Sequence, residues 1–175
     1  KKKEISFKPF YSINKNIIGE NHKDKINKVK NFLIKNKSNC MFISAPENVA
    51  WLLNIRGFDN PNSPIPNCHL LLNDKKEIYF ITNKKKVINL IKDKKINLNQ
   101  IIEPENFEIL VNSIKNKEII IDQKTCSLFY ENILRKSFIV LKKEDPIYLL
   151  KSIKNKTEIQ HMVNSHIIDG VALTK

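Results

Sequence analysis

The segment from Pro46 to Pro66, PENVAWLLNIRGFDNPNSPIP, decides how this chain is interpreted, because its composition differs from that of the remaining sequence. It contains the only tryptophan, one of the three glycines and four of the seven prolines. It joins a short apolar helix pattern to a long polar loop that holds an isolated Arg56-Gly57 pair. Loops of this chemistry, held between apolar elements, commonly display binding residues. The alternative is a rigid connector whose prolines only restrict the unfolded chain.

Four residues of this loop form the candidate binding site: Asn54, Arg56, Gly57 and Asp59. The guanidinium of Arg56 is a permanently charged fork that holds a carboxylate through two hydrogen bonds. Gly57 is expected to let the backbone turn sharply beside it, and Asp59 is placed to orient the guanidinium. An Arg56–Asp59 ion pair that only fixes the loop explains the same residues equally well, and the two interpretations are compatible.

Length and cysteine content indicate one compact domain of a cytoplasmic protein. A chain of 175 residues buries a core without needing disulfides. The three cysteines are odd in number and unpatterned, which is typical of reduced thiols in a cytosolic protein. No apolar run approaches the roughly 18 residues of a membrane span, and no signal peptide follows the N-terminus. We therefore expect no membrane partner.

The net charge of +13 does not lead us to expect a nucleic-acid partner. All but two of the 31 basic residues are lysine, and they are spread along the whole chain. Nucleic-acid readers usually cluster their basic residues and favour arginine. Lysine, asparagine and isoleucine all have A/T-rich codons, so a biased genome explains this composition without a partner.

Apolar periodicity predicts an α/β domain over residues 22–144, with a mixed sheet of about six strands flanked by helices. A helix is expected over 22–37, and Ser44 with Glu47 is expected to cap the next helix, with Pro46 in its first turn. Residues 68–72 and 78–82 are expected to pair as an antiparallel hairpin. The expected strands cover residues 40–43, 68–72, 78–82, 101–102, 119–122 and 138–141.

Residues 145–155 are expected to form a linker that ends in a second capping box, Asn155 to Glu158. The closing helix places an apolar stripe along one face, which exceeds what the preceding domain needs. We expect this stripe to be exposed or to contact another chain, and we expect the chain to be part of a longer protein. The stripe consists of Ile159, Met162, Val163, Ile167 and Val171.

The sequence offers no catalytic or metal motif. The four histidines include His161 and His166, which lie five residues apart and therefore on different faces of a helix. No zinc-type spacing occurs, and three isolated glycines exclude a glycine-rich phosphate loop. The absence of G-x-S-x-G removes support for a nucleophile elbow. We therefore expect no catalytic residue, no metal ligand and no cofactor in this chain.

Four segments resemble the Xaa-Pro aminopeptidases (aminopeptidase P) of the M24 creatinase/prolidase "pita-bread" metallopeptidases. The run from Asn48 to Asp59 with its following prolines resembles the D-x-(I/V)-A-W-L-L-N-I-R-G-x-D…P pattern, with Asn48 where the family often has Asp. Residues 10–26 are similar to the lead-in of the family. Residues 150–159 and 166–173 are similar to its K-x-I-K-N-x-x-E-(I/L) and H-(I/L)-x-D-(G/A)-(V/A)-A-L segments. The resemblance covers essentially the whole chain.

This resemblance implies a domain of creatinase N-terminal type that does not itself catalyse. Residues 1–21 would lead in from a preceding domain, 22–144 would form the α/β domain, and 145–175 would be a linker and the first helix of the catalytic domain. That catalytic domain would hold two divalent metals, usually Mn²⁺, and hydrolyse Xaa-Pro peptides. The implied partners are the chain's own catalytic domain, a peptide substrate and a second copy in a homo-oligomer. An inactive creatinase-fold binding module and a lysine-rich nucleic-acid binder stay open as alternatives.

Overall fold

The computed structural model describes residues 8–114 and 118–174. Its strands are β1 (Tyr11–Ser12), β2 (Cys40–Ile43), β3 (Ile55–Arg56), β4 (His69–Asn73), β5 (Ile78–Ile81), β6 (Ile101–Ile102), β7 (Glu118–Ile121) and β8 (Ile139–Lys142). Its α-helices are α1 (Lys15–Ile18), α2 (His22–Lys35), α3 (Pro46–Leu53), α4 (Ile88–Lys92), α5 (Phe107–Ser113), α6 (Leu128–Arg135), α7 (Pro146–Ser152) and α8 (Lys156–Leu173). Short 3-10 helices cover Lys84–Val87, Leu98–Gln100 and Pro104–Asn106.

The main sheet has six strands in the order β6-β5-β4-β2-β7-β8. β4 runs antiparallel to both of its neighbours, while the other three pairings are parallel. The sheet is therefore mixed, as the sequence predicts. The expected hairpin is confirmed, with β4 and β5 paired from His69↔Ile81 to Leu72↔Ile78. Its turn is stabilised by Asn73, whose side-chain oxygen accepts hydrogen bonds from the backbone of Lys75 and Glu77.

Helices cover both faces of this sheet. Successive strand residues point to opposite sides, so the continuously apolar strands present side chains that need covering on each face. Met41 and Ile43 of β2 pack in a core with α2, α3, α4 and α7. Cys40 and Phe42 of the same strand pack in a second core with α5 and α6. The predicted α/β sandwich with helices on both faces is confirmed.

A two-stranded sheet, β1 with β3, lies outside the main sheet. Its register places Tyr11 opposite Arg56 and Ser12 opposite Ile55. Phe10 and Ile55 are fully buried, so one face of this small sheet is part of the core. The small sheet thereby fixes the residues just before and just after α3.

Two local expectations are wrong. Ser44 does not cap α3; its hydroxyl bonds the hydroxyl of Thr125 at 2.7 Å, and the residue before the helix, Ala45, makes no side-chain cap. Residues 145–155 are not a linker, since α7 lies within them and Ile147 is fully buried. A short amphipathic helix next to a proline gives too few periodic positions to be distinguished from a linker.

Candidate functional site

The site is built around the end of α3, where Asn54 adopts a left-handed conformation with φ of 57°. Asparagine tolerates this conformation better than most residues and commonly ends helices in it. The Asn54 amide donates a hydrogen bond of 2.9 Å to the carbonyl oxygen of Glu20. Its side-chain oxygen accepts one of 2.7 Å from Nζ of Lys25. Asn54 is therefore a buried structural connector between α3 and α2.

Lys25 is a buried cation, only 1% exposed, packed against the single tryptophan. Its Nζ lies 3.9 Å from the centroid of the Trp51 ring and donates a 3.0 Å hydrogen bond to the Trp51 carbonyl oxygen. Burial lowers the pKa of Lys25 to about 8, although the nearby carboxylates of Glu20 and Glu158 act in the opposite direction. A cation at a helix C-terminus is stabilised by the helix dipole and by the free carbonyl groups there.

Arg56 lies on β3, and its guanidinium borders a cleft of about 180 Å³. Lys25, Trp51 and Glu158 line the same cleft, together with apolar residues of α1 and the segment before it. Nη1 of Arg56 donates a 2.8 Å hydrogen bond to the carbonyl oxygen of Ile55. No carboxylate within the described residues pairs with Arg56. Burial lowers the pKa of this guanidinium, so the cation carries a desolvation cost that no acidic partner here offsets.

Asp59 lies apart from this cleft and does not pair with Arg56, so the expected Arg56–Asp59 pair is wrong. Oδ1 of Asp59 contacts Nζ of Lys86 at 2.6 Å, and these two side chains are 2% and 6% exposed. Oδ2 of Asp59 accepts a 2.5 Å hydrogen bond from the backbone of Asn67. This buried pair, rather than Arg56, fixes the loop that follows β3.

Gly57 does not make the sharp turn that the sequence suggests, since its φ lies outside the left-handed region. A Cβ at this position would lie 2.8 Å from Cα of Pro66 and 3.0 Å from Cδ1 of Phe10. Glycine is needed here for the close approach of two backbone segments. Its backbone N–H donates to the carbonyl of Pro64 at 2.9 Å, which holds the proline-rich loop against β3.

The start of α8 completes the cleft. The predicted capping box is confirmed, with Asn155 and Glu158 each accepting a hydrogen bond from the backbone of the other. The Asn155 amide also donates to the carbonyl oxygen of Ile18 at 2.7 Å. Gly19, with φ of 79°, lies so close that an added Cβ would be 2.6 Å from Oδ1 of Asn155. These contacts tie α8 to α1 beside Arg56.

Of the four candidate residues, the structure brings Asn54 and Arg56 to the cleft and separates Asp59 from it. Lys25 and Glu158 were missed as site residues. Lys25 is one lysine among many, and helix periodicity gives no sign that it is buried. Lys25 lies in the segment 10–26 and Glu158 in the segment 150–159, both of which resemble the family, but the resemblance implies no role for either residue.

The described residues contain no group of three or more His, Cys, Asp or Glu side chains placed to hold a metal ion. The pKa of the Cys68 thiol is raised by burial, and that of Cys126 is raised to about 11 for the same main reason. Thiols with raised pKa values are poor nucleophiles at neutral pH. In the part of the chain that the structure describes, no helix is both long and apolar enough to span a membrane.

Comparison with known proteins identifies the class. Residues 1–158 match the Creatinase/Prolidase N-terminal domain family, so the chain belongs to that family. Among curated relatives, Xaa-Pro aminopeptidase 1 of Dictyostelium discoideum is 33% identical over 158 residues, which is 89% of this chain and 25% of that protein. Xaa-Pro aminopeptidase ApepP of Drosophila melanogaster is 30% identical over 148 residues, covering 83% of this chain and 24% of that protein. The chain thus spans about a quarter of the length of these relatives.

Solved structures share the fold. An X-prolyl aminopeptidase from Caenorhabditis elegans, described as a cytosolic enzyme with a di-nuclear active site, superposes with a TM-score of 0.76. It is 20% identical, with 95% of this chain and 28% of that chain covered. A Creatine_N superfamily domain of a Streptococcus thermophilus dipeptidase gives a TM-score of 0.51 at 17% identity, covering 73% of this chain and 96% of that chain. The family and the fold expected from the sequence are confirmed.

Proposed function

We propose that this chain is the non-catalytic domain of a cytoplasmic metallo-aminopeptidase that removes the N-terminal residue from Xaa-Pro peptides. Its role is to form one wall of the substrate cleft and to support assembly with the catalytic domain. The observation that carries the proposal is Arg56, a half-buried guanidinium with no acidic partner among the described residues. Sequence identity of 33% to an Xaa-Pro aminopeptidase over most of the chain supports the choice of activity.

The apolar stripe of α8 supports a catalytic-domain partner. Its five residues are 47–60% exposed, as the sequence predicts. An exposed apolar stripe of this length is typical of a surface that packs against another protein segment. The chain would then enter the catalytic domain through α8, as the first helix of that domain, whereas α7 packs on the α/β domain.

The proposed catalytic domain would supply the chemistry through two divalent metal ions, and Mn²⁺ is the ion to use in the assay. The described residues of this chain do not fit such ions, since they assemble no cluster of metal-binding side chains. The chain by itself should therefore release no amino acid from Xaa-Pro peptides at any Mn²⁺ concentration, because two-metal hydrolysis needs the missing ligands. Arg56 would contribute by holding a carboxylate, either of the peptide or of the catalytic domain.

The test replaces Arg56 in the longer protein that joins this chain to a catalytic domain. Arg56→Lys should lower kcat/KM, because an ammonium cannot form the two parallel hydrogen bonds of a guanidinium, and Arg56→Ala should lower it further. Thermal stability should change little, since within residues 8–114 and 118–174 the side chain of Arg56 donates one hydrogen bond, to the adjacent Ile55 carbonyl. The control is Arg135→Lys, which changes the other arginine of the chain, an exposed residue paired with Glu131 on α6.

Wild-type kinetics in both Arg56 variants, combined with a melting temperature several degrees lower, would assign Arg56 a purely structural role and refute its place in the cleft.

A further inference from the structure

The outer face of the β1–β3 sheet displays two aromatic side chains next to Arg56. Tyr11 lies directly opposite Arg56 in the antiparallel pair, so the two side chains share a face. The rings of Tyr11 and Phe58 have centroids 5.2 Å apart and are 37% and 50% exposed as residues. Phe10 and Ile55, which alternate with them, are buried on the opposite face. Exposed tyrosine, phenylalanine and arginine side chains in one place are typical of binding surfaces.

This surface favours an anionic ligand. A guanidinium carries five N–H donors, and among the described residues Arg56 makes a single side-chain hydrogen bond, to the Ile55 carbonyl. Nζ of Lys8 lies 5.7 Å from the centroid of the Phe58 ring. The nearby carboxylate of Glu158 is engaged in capping α8 and makes no ion pair with Arg56. A ligand carboxylate would satisfy the open donors and offset the desolvation cost of the half-buried cation.

We propose that Arg56, Tyr11 and Phe58 form a subsite for the free carboxylate of a short peptide that ends in proline. The carboxylate would accept two hydrogen bonds from Arg56, and the prolyl ring would pack on the two aromatic rings, as proline-containing segments do in aromatic-lined grooves. The inference rests on the proposed function, because it names the end of the peptide that Arg56 contacts.

The test titrates the 175-residue chain with N-acetylproline and follows backbone and side-chain NMR shifts. Shifts should move at Tyr11, Arg56 and Phe58, with a dissociation constant in the millimolar range. N-acetylproline amide, which lacks the negative charge, should bind at least about tenfold more weakly, the usual effect of losing a charge-assisted hydrogen bond. Acetate, which lacks the ring, should also bind more weakly.

Variants separate the two parts of the subsite. Arg56→Lys should weaken binding of N-acetylproline about tenfold and reduce its preference over the amide, while Phe58→Leu should weaken the acid and the amide alike. Arg135→Lys and Phe129→Leu are matched controls on α6, where both side chains are exposed, and should bind as the wild type does. Equal binding of acid and amide, shifts confined to other residues, or unaltered binding by Arg56→Lys would each overturn the subsite.

Failure of the subsite and failure of the proposed function give different results. If the longer protein cleaves Xaa-Pro peptides in an Arg56-dependent way while the chain does not bind N-acetylproline, the subsite is refuted, and Arg56 contacts an acidic group of the catalytic domain. If the chain binds N-acetylproline through Arg56 but the longer protein does not cleave Xaa-Pro peptides, the proposed activity is refuted and the subsite stands.

Discussion

Replacing Gly57 by alanine tests whether close packing, rather than a turn, explains the Arg56-Gly57 pair. The added Cβ would lie 2.8 Å from Cα and 2.9 Å from Cβ of Pro66, and 3.0 Å from Cδ1 of Phe10. Ordinary carbon contacts begin near 3.4 Å, so something must move by about half an ångström. The Cα of Pro66 belongs to the backbone, and Phe10 is fully buried, so neither moves freely. Overpacking of this kind costs about 1–3 kcal/mol.

The assay is unfolding of the 175-residue chain by urea and by heat. For a chain of this size a loss of about 2 kcal/mol lowers Tm by about 4–8 °C. Gly170→Ala is the matched control, because a Cβ there meets nothing within 4 Å. Alanine favours a helix interior over glycine by about 1 kcal/mol, so this variant should keep or raise the helical content of α8. A Gly57→Ala protein as stable as the wild type would refute the reasoning.

The remaining predictions concern Lys25 and Asn155. Below pH 8 the lowered pKa of Lys25 costs the fold about 3 kcal/mol, and this cost disappears as pH rises from about 8 to 10.5, where the unfolded chain also loses the proton. In urea titrations, the unfolding free energy of the wild type minus that of Lys25→Met should therefore rise by about that amount over this pH range. Lys23→Met changes an exposed lysine on the same helix, so the corresponding difference should not rise. An equal rise for both variants would contradict the assignment to Lys25. Asn155→Asp keeps the side-chain oxygen that caps α8 but loses the hydrogen bond to the Ile18 carbonyl, so the distribution of spin-label distances between α8 and the sheet should broaden while the helical content stays the same. Asn155→Ala removes the cap as well and should also lower the helical content. An unchanged distance distribution in Asn155→Asp would show that the bond to Ile18 does not orient α8.

The predicted fold was recoverable because its signals are local and repeated. The apolar run over 40–43 and the paired runs around the turn at Asn73 gave the correct strands. Every residue of β2 is buried, because alternate side chains point to opposite faces of the sheet and helices cover both faces. The second cap, Asn155 with Glu158, was also predicted correctly, because a capping box involves residues only three apart. The first capping pattern failed, since Ser44 has a competing partner, Thr125, from a distant part of the chain.

The sequence predicted the candidate site only in part, because side chains of this site also have partners from distant parts of the chain. The sequence places Arg56 and Asp59 three residues apart, which suggests an ion pair. In the structure Asp59 pairs instead with Lys86, 27 residues along the chain, at 2.6 Å. Nothing local distinguishes Lys86 or Lys25 from the other lysines, and both become buried only when distant segments pack over them.

The sequence by itself therefore determined the class of fold, the family and the loop that matters, since these depend on periodicity, caps and an unusual local composition. The tertiary structure decided what each residue of that loop does. It gave Gly57 a packing role, moved Asp59 to a buried ion pair and left Arg56 beside Tyr11 and the cleft without an acidic partner among the described residues. The physical reason is that burial and charge pairing depend on which segments meet in space, and a sequence specifies those meetings only through the complete fold.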